Sequence, residues 1–278
     1  MKICVLCMSC NQEIYRYQEM VARNTWIKHL KEEGIDVFIY TSGKYNNVNI
    51  KDNKIYCDIP DDINHTYEKT ISALSQIFLD NFDFIVRTNL TTYINAKLLL
   101  KYCKFLKENN YDIANGCLML KDNLVHYRGN SLIMSYKICR YLLDNIYPNK
   151  EHTQDDFLFQ NIFKEIQNIN IHSAPLRYYS NEGHFLYHPQ SIHIINKDTL
   201  EGIVFISYRI ILDINNKNNI NNIKRFEELG RCYEIDYFYS QLNNDKLSNN
   251  LNIIFNGDNN MFMKGDSIIK DKYKFIFK

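Results

Sequence analysis

The sequence predicts an α/β fold in which helices cover both faces of a mostly parallel β-sheet. Residues 2–8, KICVLCM, form a continuous apolar run, which suits a strand that is buried on both faces. Strand-like and helix-like segments then follow one another along residues 2–120, and this order implies parallel strands joined by crossover helices. The chain of 278 residues is 45% hydrophobic, which is enough for a sizeable core.

Each further element follows from a local pattern. Helices are predicted over residues 13–33, 65–79, 95–108 and 153–166. Strands are predicted over residues 35–41, 53–59, 82–88 and 111–120, and residues 124–146 are predicted to form a glycine turn, a short strand and a helix. The first helix ends at Gly34, and its apolar stripe consists of Ile14, Tyr17, Val21 and Ile27.

Composition narrows the functional classes. The 33 basic and 32 acidic side chains give a net charge of +1, which argues against a nucleic-acid-binding protein, because such proteins usually have a basic excess. No stretch approaches the roughly 20 apolar residues that a membrane span needs. The expected location is therefore the cytoplasm, of a bacterium or of a host cell that expresses a viral gene, and peripheral contact with a membrane stays compatible with the sequence.

Three cysteines near the amino terminus have a spacing that metal sites also use. Cys4, Cys7 and Cys10 alternate along the first strand, which puts Cys7 on the face opposite to the other two. No second cysteine pair with matching spacing follows, so a buried strand is the favoured interpretation. The eight cysteines agree with a reducing compartment.

Ligands of parallel sheets bind at the carboxyl ends of the strands. In this chain those ends include Ser9, Thr41 and the segment after Val86. Two basic residues, Lys69 and Arg87, are predicted to lie near this edge. They are either ordinary surface charges or ligands of a pyrophosphate group, since guanidinium and ammonium groups pair with phosphate oxygens.

Acidic and histidine residues further along the chain offer additional chemistry. Asp155 and Asp156 open a predicted helix, where acids favour the helix dipole, but one of them could also serve as a general base. His184 and His188 are weak candidates for metal ligands, with His193 in the same segment. Their spacing would converge on a helix, yet the segment contains glycine and proline and does not have a helical pattern.

Taken in order, five blocks within residues 2–166 resemble the inverting β-1,3-glycosyltransferases, the family that includes fringe and the β-1,3-galactosyltransferases. The blocks have family-like residues at Arg23, Thr25 and Trp26; Tyr67, Lys69 and Thr70; Arg87, Asn89, Leu90, Thr91, Tyr93 and Asn95; Gly129 and Ser135; and Asp155 with Asp156. After residue 170 the resemblance fades. The late metal-binding histidine of the family corresponds either to the histidine-rich segment that contains His184 and His188 or to residues 206–210, where Ser207 stands in its place.

The resemblance implies a GT-A fold and transfer of a sugar, with inversion, from a nucleotide-sugar donor, commonly a UDP-sugar, to a glycan or glycolipid acceptor in polysaccharide synthesis. It implies a transferase domain over residues 1–245, with a donor half at about 1–120, an acceptor half at about 121–245 and a short β-rich extension over 246–278. The implied catalytic base is Asp156 or Asp155. The implied donor-binding residues are Ser9, Arg23, Lys69, Arg87, Asn89 and Thr91.

The chain departs from the family at the acidic triplet that holds the metal ion there. Asn89, Leu90 and Thr91 replace the carboxylates, and Mn²⁺ or Mg²⁺ prefers carboxylate oxygen. Either the ion is weakly bound, with Asn89 as a weak ligand, or Arg87 and Lys69 make it dispensable. A third alternative is a catalytically inactive relative that binds a sugar nucleotide or a glycan.

Overall fold

The computed structural model describes residues 1–49, 51–77, 79–115, 118–121, 124–127, 131–145, 155–173 and 205–207, together with residues 232 and 236. The strands in this part of the chain are β1 (Ile3–Met8), β2 (Asp36–Ser42), β3 (Asn47–Asn49), β4 (Lys54–Cys57), β5 (Phe84–Asn89), β6 (Thr92–Ile94), β7 (Ile113–Asn115), β8 (Leu118–Lys121), β9 (Leu124–Tyr127), β10 (Leu132–Ser135), β11 (Ile171–Ser173) and β12 (Phe205–Ser207). The helices are α1 (Glu13–Asn24), α2 (Trp26–Glu32), α3 (Thr66–Ser75), α4 (Ala96–Glu108), α5 (Tyr136–Asp144) and α6 (Asp155–Glu165).

Eight of these strands form the main sheet, in the order β11-β7-β10-β5-β1-β2-β4-β3. Strand β1 pairs in parallel with β2 and β5, and β4 with β2 and β11 with β7 are parallel as well. Only β10 and β3 run against the other six strands of this sheet. The predicted α/β class with a mostly parallel sheet is therefore confirmed.

Strand β1 lies at the centre of the core. Its residues from Ile3 to Cys7 are at most 2% exposed. Cys4 packs on the face covered by α3, α5 and α6, and Cys7 packs on the face covered by α1, α2 and α4. The period of two along a strand thus separates the two thiols, as predicted. In the part of the chain that the structure describes, no group of three His, Cys, Asp or Glu side chains could hold a metal ion.

The helix predicted over 13–33 is two helices in the structure. Thr25 has φ −119° and ψ −112°, which interrupts the helix, and its hydroxyl donates to the carbonyl of Val21 at 2.8 Å. Val21 and Ile27 of the predicted apolar stripe are buried, but Tyr17 is not, and Gln18 takes its place. Gln18 is 3% exposed, whereas Tyr17 is 42% exposed, because the stripe that includes Val21 is continued at a spacing of three by Gln18.

The segment predicted as helix 65–79 begins with a 3₁₀ turn over Ile63–His65 and ends as a helix at Ser75. Asp62 explains the early start, because its carboxylate accepts hydrogen bonds from the backbone of Asn64 and His65. The strand predicted over 111–120 is divided into β7 and β8, and β8 leaves the main sheet to pair with β9.

Five strands, β3, β6, β9, β11 and β12, were not predicted, and β6 bears on the candidate site. Strand β3 is a short edge strand, and β6 follows the Asn89–Thr91 segment and pairs with β12. The predicted helix cap at Thr153, the acceptor half after residue 173 apart from β12, Cys232 and Asp236, and the extension over 246–278 lie outside the described residues. Within the described part, no helix is long and apolar enough to cross a membrane.

Candidate functional site

The carboxyl ends of four parallel strands meet at one edge of the sheet. Met8 at the end of β1 is in register with Asn89 at the end of β5, and Ser42 of β2 is in register with Cys57 of β4. Ser9 follows directly after β1, and its backbone N–H donates to the carbonyl of Tyr40 at 2.8 Å. The strand ends that the sequence predicted to bind a ligand are therefore neighbours.

Arg87 brings a positive charge to this edge. Its side chain is 1% exposed and lies on β5, two residues before Asn89. One guanidinium nitrogen, Nη1, donates to Oδ1 of Asn89 at 2.7 Å, and Nη2 lies 3.4 Å from the sulfur of Met8. A buried guanidinium must be satisfied by hydrogen bonds or by anions, and Asn89, two residues further along the same strand, supplies one of these hydrogen bonds.

Lys69 brings a second buried cation to the same edge. It lies on α3 and is 3% exposed. Its ammonium group donates to the carbonyl oxygen of Ser9 at 3.0 Å and to Oδ1 of Asp61 at 2.5 Å. Since Arg87 contacts Met8, the two cations reach successive residues at the end of β1.

Asp61 is a member of the site that the sequence did not indicate. Its carboxylate pairs with Lys69 and accepts hydrogen bonds from the backbone N–H of Asn11 and from the thiol of Cys10. Burial opposes ionisation of Asp61, but these hydrogen bonds outweigh it and hold the pKa of the carboxyl below its ordinary value. The only signal in the sequence was an acid eight residues before a lysine, which is too common to be specific.

The segment that replaces the acidic triplet does not provide a carboxylate for a divalent ion. Leu90 is 1% exposed and packs in the core with α1, α2 and α4, so only Asn89 and Thr91 offer side-chain oxygens. The oxygen of Asn89 already accepts a hydrogen bond from Arg87, a positively charged donor. These residues do not fit the metal ion that the resemblance implies. His184 and His188, the other weak metal candidates, lie outside the described residues together with His193.

The acidic pair predicted as the catalytic base opens helix α6. Asp155 and Asp156 are its first two residues. One turn further along, Phe159 packs edge-to-face on Tyr67 of α3, with the ring centroids 5.4 Å apart. Phe159 lies four residues after Asp155, and a helix rises about 1.5 Å per residue, so the start of α6 lies about 6 Å along its axis from this contact. Tyr67 lies on α3 two residues before Lys69, so the contact joins α6 to the helix that bears Lys69.

The structure does not bring Arg23 to this group. Arg23 lies in the last turn of α1, where it pairs with Glu19 at 2.9 Å and donates to the carbonyl of Asp52 at 2.8 Å. Asp52 precedes β4, so this contact is at the amino end of that strand, whereas the other predicted residues lie at the carboxyl ends. Arg23 was predicted to bind the donor only because it lies in one of the family-like blocks. Helix α1 is long enough to put Arg23 at the opposite edge of the sheet.

No family model matches the chain, and no curated protein sequence gives a significant match. The alignment with a glycosyltransferase involved in glycosylation of the major capsid of PBCV-1 covers 84% of this chain and 100% of that chain, at 10% identity and a TM-score of 0.47. S. aureus TarS in complex with UDP-GlcNAc aligns over 92% of this chain and 70% of its own, at 13% identity and a TM-score of 0.43. A cytidylyltransferase from Leptospira borgpetersenii aligns over 63% and 76%, at 14% identity and a TM-score of 0.39. At these identities and TM-scores the similarity does not transfer a function to this chain.

Proposed function

We propose that the protein is a glycosyltransferase that moves a sugar from a nucleotide-sugar donor, in the first instance a UDP-sugar, to a hydroxyl group of a glycan or glycolipid. One observation carries the proposal. Two buried cations, Arg87 and Lys69, converge on successive residues at the carboxyl edge of a mostly parallel sheet. A diphosphate is the ligand chemistry that such an edge favours, because Arg87 meets its charge with a fixed positive group while Lys69 holds the segment after β1 in place.

The proposed reaction inverts the anomeric carbon. The acceptor oxygen attacks that carbon from the face opposite to the nucleotide, and the bond to the diphosphate oxygen breaks with its electron pair on the leaving group. Asp156 or Asp155 takes the proton of the acceptor hydroxyl, a role that suits a carboxylate next to a second one. Arg87 faces the developing negative charge of the diphosphate and stabilises it.

A divalent ion has a minor part in this proposal. Arg87 supplies positive charge in the place where the family that the sequence resembles has a metal ion, and Asn89 presents its oxygen to Arg87. Mn²⁺ or Mg²⁺ is therefore weakly bound or dispensable. Thr91, which is 7% exposed, remains a candidate for a hydrogen bond to the donor.

The alternative function is a catalytically inactive protein that binds a sugar nucleotide or a glycan. The replacement of all three triplet positions by Asn89, Leu90 and Thr91 favours it, since such a change can remove turnover and leave binding intact. The two functions differ in one measurement. Binding of nucleotide sugars without hydrolysis or transfer for any common donor would support the inactive protein.

The first experiment is a thermal-shift screen against a panel of nucleotide sugars, because a ligand that binds the folded state raises the unfolding temperature. We expect a UDP-sugar to give the largest shift. The same donor is then tested for transfer to glycan acceptors, with Asp144→Asn, at the exposed end of α5, as the control for Asp155→Asn and Asp156→Asn. Absence of any shift across the panel would contradict a nucleotide-sugar function of either kind.

A further inference from the structure

We propose that Asp61 and Lys69 are positioning residues, whose ion pair holds the backbone of residues 9–11 in the shape that receives the donor diphosphate; this inference rests on the function proposed above. The sequence alone suggested a different role for Lys69, namely direct contact with phosphate. The geometry points to an indirect one, because two of the three ammonium hydrogens already have acceptors in the protein, the Ser9 carbonyl and Asp61.

The pair contacts three consecutive residues of the segment after β1. Lys69 fixes the carbonyl of Ser9, while Asp61 accepts hydrogen bonds from the thiol of Cys10 and from the backbone N–H of Asn11. The other backbone group of Ser9 is held as well, since its N–H donates to the carbonyl of Tyr40 in β2. A loop segment with this many fixed groups has little freedom to rearrange, so its shape is set before a ligand arrives.

The segment is open to a ligand on its outer side. Ser9 is 3% exposed, Cys10 is half-buried, and Asn11 and Gln12 are exposed to solvent. The ion pair lies underneath, with the Lys69 side chain 4% exposed and that of Asp61 17% exposed. The arrangement therefore has a surface segment that can contact a donor and a buried pair that supports it.

The burial of Lys69 explains why the two residues act as a unit. An ammonium group at 4% exposure is costly without a neutralising partner, and removal of one member of such a pair leaves the other as an uncompensated charge. Loss of Asp61 would therefore release Lys69 as well as Asn11 and Cys10, and the whole segment would lose its support.

The positioning role and direct binding of phosphate by Lys69 predict different changes in UDP affinity for the substitution Asp61→Asn. If Lys69 binds phosphate directly, Asp61→Asn removes a competing anion near an anionic ligand, and UDP should bind equally well or more tightly. If the pair positions the segment, Asp61→Asn should weaken UDP binding although it makes the site more positive. Asp58→Asn is the matched control, since it removes the same charge from an exposed position three residues earlier.

The experiment is calorimetric titration of UDP into the wild type, Asp61→Asn, Lys69→Met, the double variant and Asp58→Asn. We expect Kd to rise about tenfold or more for Asp61→Asn and to stay within about twofold for Asp58→Asn. Both single variants and the double variant should show similar losses, because each removes the same unit. An unchanged or lower Kd for Asp61→Asn would overturn the inference while the proposed function stands.

A measurement on the wild type keeps the inference testable if a variant does not fold. Hydrogen exchange of the backbone amides of residues 9–11 is followed with and without saturating UDP. We expect exchange in this segment to be slow before UDP is added, because the Asp61–Lys69 pair already fixes it, and fast exchange that only UDP slows would overturn the positioning role. A wild type that binds no nucleoside diphosphate would instead overturn the proposed function, and the inference with it, before any variant is compared.

Discussion

Arg87 donates a hydrogen bond from Nη1 to the side-chain oxygen of Asn89 at 2.7 Å, within a single strand. The carboxyl end of β5 therefore presents a guanidinium group and an amide, and no carboxylate. An amide oxygen that accepts from a guanidinium is a poor metal ligand, because the neighbouring positive charge repels a second cation. This contact therefore couples Asn89 to the positive charge that Arg87 brings to the carboxyl edge of the sheet.

Arg87→Met should weaken UDP binding and turnover together, each by about tenfold or more, because it removes the charge that faces the diphosphate. The measurement is calorimetric titration with UDP and steady-state transfer by the same preparations. Lys97→Met, an exposed cation on α4, is the control and should change neither quantity. An Arg87→Met protein that is folded and binds UDP normally would contradict the role of Arg87.

Transfer should depend weakly on divalent ions. We expect activity either to survive a chelator or to need Mn²⁺ at about millimolar concentration, because Asn89, Leu90 and Thr91 offer no carboxylate. Each tenfold loss in ion affinity corresponds to about 1.4 kcal/mol, and the absence of carboxylates should cost more than one such step. Asn89→Asp should strengthen the response to Mn²⁺ because it restores one carboxylate. The test is the transfer rate against free Mn²⁺ for both proteins. Micromolar binding of Mn²⁺ by the wild type, with loss of activity on chelation, would show that ligands such as His184 and His188 hold the ion.

Asp156→Asn should abolish transfer and leave donor affinity within about threefold, because a general base acts on the acceptor and not on donor binding. Asp155→Asn should either abolish or weaken transfer, and at least one of the two carboxylates should be essential. Donor titration and single-turnover transfer separate binding from chemistry. If both single variants keep full turnover, the base is a different residue.

Cys10 should react with alkylating agents more slowly than an ordinary half-buried thiol does. Burial, and then the charge and hydrogen bond of Asp61, raise the pKa of Cys10 above its ordinary value, and the thiolate is the reactive form. Asp61→Asn should shift the pH midpoint of Cys10 labelling downward, and Asp58→Asn should not. Iodoacetamide labelling read by peptide mass spectrometry checks this. Equal midpoints in the wild type and Asp61→Asn would show that Asp61 does not control the thiol.

The Asp61–Lys69 pair should make stability depend on pH in the acid range. The folded pKa of Asp61 is lowered, so its contribution to stability is present above the unfolded value of about 3.9 and is lost as the pH falls through the folded value. Unfolding temperatures measured from about pH 6 to about pH 2 should fall more steeply for the wild type than for Asp61→Asn. Parallel curves for the two proteins would mean that Asp61 has the same pKa in both states.

The sequence was sufficient for those features that local patterns encode. The apolar run of β1 can only be buried, and its alternation puts Cys4 and Cys7 on opposite faces. The order of strands and helices implied a mostly parallel sheet, and that topology alone placed Ser9 and Asn89 at one edge. These predictions are correct because periodicity and element order depend on residues close together in the chain.

Contacts between distant residues were decided by the tertiary structure. Strand β6 forms because Thr92–Ile94 pairs with Phe205–Ser207, more than a hundred residues away, and a segment of three residues gives no sign of such a partner. Asp61 and Arg23 are the other examples. The fold brings Asp61 under the segment after β1, whereas α1 carries Arg23 to the opposite edge. A side chain of given chemistry acquires its role from the partners that packing supplies, and packing is a property of the whole chain.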